Sequence, residues 1–131
     1  MIGSTRNLRV FAYAGPADLR KGFDGLYGIV VAELGRDPLD GDCFLFVNRA
    51  RSRAKVLLWD GTGLCIYMKR LEQSHFARLW DKDGDGGGSS ASVELTMTEL
   101  ALFLEGSKIV GRIPLSPTQI RPTALAKDAF A

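Results

Sequence analysis

Arg49, Arg51, Arg53 and Lys55 stand at every second position of a stretch that turns apolar at Val56–Trp59. Between Asp42 and Asp60 the chain has no Asp or Glu. Alternate side chains of an extended chain point to one face. A strand here would place all four cations on one side; a loop joining two strands would fan them from its tip. Either arrangement makes a positive patch on a hairpin. Guanidinium forks match phosphate oxygens, so the chemistry on offer is recognition of a polyanion. Lys69 and Arg70 end the next apolar run, and Arg20 and Lys21 lie earlier in the chain; both pairs are expected to extend the patch. The competing reading is a solvated loop that keeps an apolar hairpin soluble and blunts a sheet edge. Formal net charge is only +2, so binding must come from where the charge sits rather than from its total.

Other chemistries find less support. His75 is the single histidine. A Ser-His or Cys-His nucleophile would have to recruit it from a distant segment, because the neighbouring Ser74 points the other way in an extended chain. His75, Cys43 and Cys65 could supply three zinc ligands, but no ligand spacing organises them. Asp81, Asp83, Asp85 and Gly86 match positions of an EF-hand loop, yet Ser92 stands where the bidentate glutamate belongs. A flexible acidic surface loop is the simpler reading. Asp18, Asp24 and Asp60 are the acids placed for a carboxylate-metal nuclease, and their spacing does not require them to converge. No catalytic residue, cofactor, metal or small-molecule substrate is therefore expected.

The elements that must hold the cations follow from apolar periodicity. Leu8–Tyr13 reads as a strand stopped by Gly15-Pro16. Asp18 reads as the N-cap of a long helix whose stripe is Leu19, Phe23, Leu26, Tyr27, Val30 and Leu34, closed by Gly35. Gly22, Gly25 and Gly28 would give that helix a smooth edge, for close packing on a sheet or for the approach of another chain. Cys43–Val47, Val56–Trp59 and Leu64–Met68 read as an antiparallel meander, with Asp60-Gly61 in the last hairpin turn. These runs are continuous, so both sheet faces need cover. Phe76–Trp80 suggests a further strand or a short helix, the strand being favoured. Thr96–Glu99 is a capping box opening a short helix that Gly106 ends. The expected fold is α+β: an antiparallel sheet of four to five strands, packed by one long N-terminal helix and one short C-terminal helix. Trp59 is expected in the core rather than as a stacking platform.

The 131 residues, 46% hydrophobic and 24% charged, suit one globular domain. No apolar run resembles a signal peptide or approaches the ~18 residues of a membrane span, so a cytoplasmic protein is expected. Cys43 and Cys65 lie inside apolar runs and are expected as reduced, buried thiols.

The run Gly15-Pro16-Ala17-Asp18-Leu19-Arg20-Lys21-Gly22-Phe23-Asp24-Gly25-Leu26 resembles the opening of TnpB proteins of the insertion-sequence-66 group. Lys55–Asp60, Gly61, Gly63, Leu64 and Lys69-Arg70-Leu71-Glu72 are similar to that family's middle motif. Phe76, Leu95-Thr96, Glu99-Leu100 and Leu104-Glu105-Gly106 are similar to its closing pattern. The resemblance spans Val10 to Gly106. It departs at the glycine-rich insert Asp81–Ser92 and after Gly106, so a domain over 1–106 and a proline-punctuated extension over 107–131 are expected. The name is shared with an unrelated RNA-guided nuclease family, for which this chain is far too short. The resemblance implies a non-catalytic accessory role in DNA transposition beside a separate transposase that carries the acidic catalytic triad. Expected partners are that transposase, DNA or RNA, and a second copy of the chain. The alternatives are a pure protein-interaction or oligomerisation module without nucleic-acid binding and, weakest, a small metal-dependent nuclease.

Overall fold

A computed structural model describes residues 8–80 and 91–106. Five strands and two α-helices follow in the order β1 (Val10–Pro16), α1 (Phe23–Ala32), β2 (Cys43–Val47), β3 (Arg53–Trp59), β4 (Leu64–Arg70), β5 (Ser92–Leu95) and α2 (Met97–Leu104). A 3-10 turn at Pro38–Asp40 leads into β2. The strands form one sheet in the order β4-β3-β2-β1-β5. The expected β2-β3-β4 meander is antiparallel throughout. The sheet as a whole is mixed, because β1 runs parallel to β2 while pairing antiparallel with β5. The cause is α1. A helical connection carries the chain back across the sheet before β2 starts, which is the link that parallel neighbours need.

The expectation of a long N-terminal helix is corrected. The helix follows β1 and has 10 residues. Asp18 is not its cap. The Asp18 carboxylate accepts the Arg20 backbone N–H at 3.0 Å and so stabilises a turn ahead of the helix, a conformation that competes with helix initiation. Gly22 takes the N-cap position with no side-chain hydrogen bond. Close packing of the glycine edge on the sheet is corrected as well: Gly22 and Gly28 are exposed, and a Cβ on either would meet nothing within 4 Å. Gly35 terminates the segment as expected, with φ +64°, a conformation glycine adopts at no steric cost.

Strand alternation divides the core in two. Phe11, Phe44, Phe46 and Leu57 pack under Leu26 and Val30 of α1 on one face. Val10, Ala12, Cys43, Leu45, Val47, Ala54 and Val56 line the other face. That second face is covered by α2, through Leu100 and Phe103, and by Phe76–Trp80. The latter is neither strand nor helix. It is an irregular segment with Phe76 fully buried, and the Phe76 and Phe103 rings stack with centroids 5.1 Å apart. The capping box forms as expected: Glu99 N–H donates to Thr96 Oγ1 at 3.0 Å and Thr96 N–H donates to Glu99 Oε1 at 2.7 Å. Both cysteines are free. Cys43 is buried, whereas Cys65 is only half-buried on β4, and β3 separates their strands. Trp59 is half-buried and joins neither core cluster, contrary to the expectation of a core residue.

Candidate nucleic-acid interface

The eight cations separate into different environments. β3 begins only at Arg53, so Arg49 and Arg51 lie in the turn between β2 and β3, and the two-residue alternation does not reach them. Asn48 builds that turn. Its Oδ1 accepts the backbone N–H groups of Ser52 and Arg53 at 2.9 and 3.0 Å. Arg49 projects from the tip, exposed.

Arg51 is half-buried. Its φ is +59°, uncommon for a residue with a Cβ. Its carbonyl accepts the Phe76 N–H at 2.7 Å, and its Nη1 donates to the Phe76 carbonyl at 2.9 Å. Both backbone groups of Phe76 are thereby satisfied by one residue, and the irregular segment is tied to the turn. Burial, with the Arg78 charge adding to it, lowers the Arg51 pKa from its ordinary value.

Arg53 and Lys55 do share a face. Cross-strand partners in an antiparallel pair point the same way. Arg53 lies opposite Arg70, Lys55 opposite Met68, and Leu57 opposite Ile66. Leu57 and Ile66 pack in the cluster under α1, so Arg53, Lys55 and Arg70 occupy the helix-bearing face. The backbone carbonyl of Lys21 lies beside them, accepting a hydrogen bond from Lys55 Nζ at 3.0 Å, while the Lys21 side chain runs against Gly25 of α1. The same contact anchors the start of α1 to β3. Lys69 lies opposite Ala54 and so belongs to the other face. Two of the cations have carboxylate partners. Arg20 makes two contacts with Asp18, at 3.0 and 2.9 Å, and not with Asp24 one turn along. Arg70 Nε meets Glu72 Oε2 at 3.0 Å. Both pairs are solvent-exposed, a setting in which an ion pair offsets charge only weakly.

A family model described as IS66 Orf2 like protein matches residues 8–112. The chain belongs to this family. Uncharacterized protein y4jC of Sinorhizobium fredii is 32% identical over 126 residues, covering 96% of the present chain and all of the relative. Uncharacterized protein y4hO of the same organism is 35% identical over 106 residues, covering 81% of the present chain and 86% of the relative. No solved structure gives a significant match. Membership of the IS66 Orf2-like family associates the chain with an accessory role in insertion-sequence transposition.

Among the described residues of this family member, no group of His, Cys, Asp and Glu could hold a metal ion. Asp60 is committed to the β3–β4 turn. It accepts the Thr62 and Gly63 N–H groups at 2.9 Å each, and these bonds hold its carboxyl near 2, against an ordinary 3.8. Asp18 is similarly held near 2 by the Arg20 guanidinium. His75 is exposed. The EF-hand-like positions 81–90 lie outside the described residues, and Ser92 is the first residue of β5. No described helix is long and apolar enough to cross a membrane.

Two residues of this region carried no readable signal. Arg78 sits in the irregular segment near enough to Arg51 to depress its pKa, an adjacency created only when that segment folds back. Asn48 reads as an ordinary polar residue at a strand end, and its double acceptance depends on the turn that follows.

Proposed function

We propose that the protein is a non-catalytic accessory subunit of DNA transposition that grips nucleic-acid phosphates with Arg53, Lys55, Arg70 and Lys21, and docks on the element's separate transposase. The observation that carries this reading is the placement of Arg53 directly opposite Arg70, with Lys55 on the same face and bonded to the Lys21 backbone carbonyl. Like charges directly opposite each other destabilise a strand pair. A phosphate seated between two guanidinium groups would relieve that repulsion and gain charge-assisted hydrogen bonds. Arg49 and Arg20 are secondary contacts at the margins; Lys69, on the opposite face of the sheet, is not assigned to this surface. Arg51 is assigned to holding Phe76 rather than to phosphate.

Four phosphate contacts on duplex DNA correspond to a log-affinity slope of about −3.6 against log salt. The test is an anisotropy titration of labelled duplex over a range of salt, with the chain alone and with its transposase. Arg53→Ala combined with Arg70→Ala is expected to weaken binding and reduce the slope by about 1.8. No binding at low salt by either preparation would refute the reading. The family association with transposition favours nucleic acid over other polyanions.

A further inference from the structure

One edge of the sheet is built for another strand. Among the described residues, β4 pairs only with β3 and ends the sheet. At its two ends the bonding pattern is set: Leu71 N–H donates to Ser52 O at 2.9 Å, and Gly63 O accepts Asp60 N–H at 3.1 Å. Strand backbone groups alternate in direction. The odd-numbered residues of β4 therefore bond inward, and the N–H and C=O groups of Leu64, Ile66, Met68 and Arg70 face outward. Tyr67 and Met68 are 51% and 50% exposed, although both are large and apolar. Five apolar residues, Leu64–Met68, run along this edge, and its cations Lys69 and Arg70 are confined to one end. Natural edges are commonly blunted by charge, proline or a bulge; the stretch Leu64–Met68 has none of these.

We propose that two copies of the chain join β4 to β4, antiparallel about a two-fold axis at Tyr67, uniting their two sheets into one. Three observations select a second copy in this register. Ile66 falls opposite Met68 of the other copy, and Leu64 opposite Arg70, so all four outward-facing residues meet outward-facing partners. The two Tyr67 side chains become direct cross-strand neighbours, an aromatic pairing that stabilises sheets. Lys69 falls opposite Cys65, whose Sγ lies 3.5 Å from Asp60 Oδ2, so the cationic end of each strand meets the acid-bearing turn of the other. A parallel arrangement would instead set Lys69 and Arg70 against their own copies. The interface is isologous and closed, as two-fold symmetry requires. Both helix-bearing faces lie on the same side of the joined sheet, so both cationic clusters face one way.

The test is the mass of the full chain by light scattering over a concentration series. The expected result is a dimer at twice the 14.3 kDa chain mass. Met68→Pro removes an outward N–H and leaves the inward ladder intact, a substitution that edge strands tolerate. It is expected to give a monomer with an unchanged circular dichroism spectrum. Tyr67→Lys, which sets like charges opposite each other, is expected to do the same without a backbone change. In the dimer a Tyr67→Cys variant brings two Cα atoms to about 4.5 Å, within disulfide reach. Mild oxidation is then expected to give a covalent dimer that the parent chain does not form. A parent chain that is monomeric at every concentration overturns the proposal, as does a dimer that survives both Met68→Pro and Tyr67→Lys. Slow amide exchange at Ile66 and Met68 in a monomeric chain would mean that the chain's own residues cover the edge, and also overturns it. The phosphate reading is tested separately, because Met68→Pro leaves every cation in place.

Discussion

Arg51 and Arg53 are two residues apart and do different work. Arg53 starts a strand and projects from the helix-bearing face; Arg51 turns inward at positive φ and spends its guanidinium on the Phe76 carbonyl. A hydrogen bond from a charged donor to a half-buried carbonyl contributes on the order of 2 kcal/mol. Arg51→Ala is expected to lower unfolding free energy by about that amount while leaving the salt slope of nucleic-acid binding unchanged. Urea denaturation read beside the salt titration checks both halves of this prediction. Asp60 offers a second test at the same scale. Its folded value near 2 lies below the ordinary 3.8, so its contribution to stability is complete above about pH 4 and is lost as pH falls through 2. The thermal midpoint of the parent should therefore decline between pH 4 and 2. In Asp60→Asn, which cannot gain the charge, the decline should be shallower.

At the scale of elements, α1 shows how a short helix holds its place. Only Leu26 and Val30 are fully buried; Ile29 packs partly against the same cluster, and further anchorage comes from the ends. Lys55 bonds the Lys21 carbonyl just before the first turn. Tyr13 donates its hydroxyl to Glu33 Oε1 at 2.6 Å just after the last turn, and burial with this carboxylate contact pushes the Tyr13 pKa up to about 12. The interior carries Gly28, exposed and with open space where a Cβ would stand. Gly28→Ala should therefore raise stability by about 1 kcal/mol, the helix-propensity difference. A loss of stability on that substitution would indicate that another chain approaches this edge. Lys55 also links two scales, because the side chain that pins α1 through the Lys21 carbonyl belongs to the cationic cluster.

For the molecule as a whole, the decisive feature is a sheet buried on both faces with unlike covers. One face takes a regular helix; the other takes α2 and the irregular segment Phe76–Trp80. That segment lacks a hydrogen-bond ladder of its own, so its place depends on side-chain burial and on the two hydrogen bonds Phe76 shares with Arg51, one donated by each. Phe76 is fully buried against Phe103. Phe76→Ala should cost about 3–5 kcal/mol and loosen the cover of the whole face, seen as faster amide exchange across β2 and β3 and a lower melting midpoint.

Patterns that depend on near neighbours could be read from the chain directly. The β2-β3-β4 meander, the Asp60-Gly61 turn, the Thr96–Glu99 capping box and the Gly35 stop each follow from residues within a few positions of one another, whose backbone preferences are local. Family membership was legible for the same reason, as short motifs in order. Tertiary structure alone decided what depends on contacts across the sheet: the parallel pairing of β1 with β2, the burial of Phe76–Trp80 without a strand, and the division of the cations. The run Arg49–Lys55 reads as one alternating series, but Asn48 bends its first half into a turn and Phe76 captures Arg51. Arg53 and Lys55 are left to share a face with Arg70, because a charge cluster is set by which strands become neighbours, and no spacing along the chain encodes that.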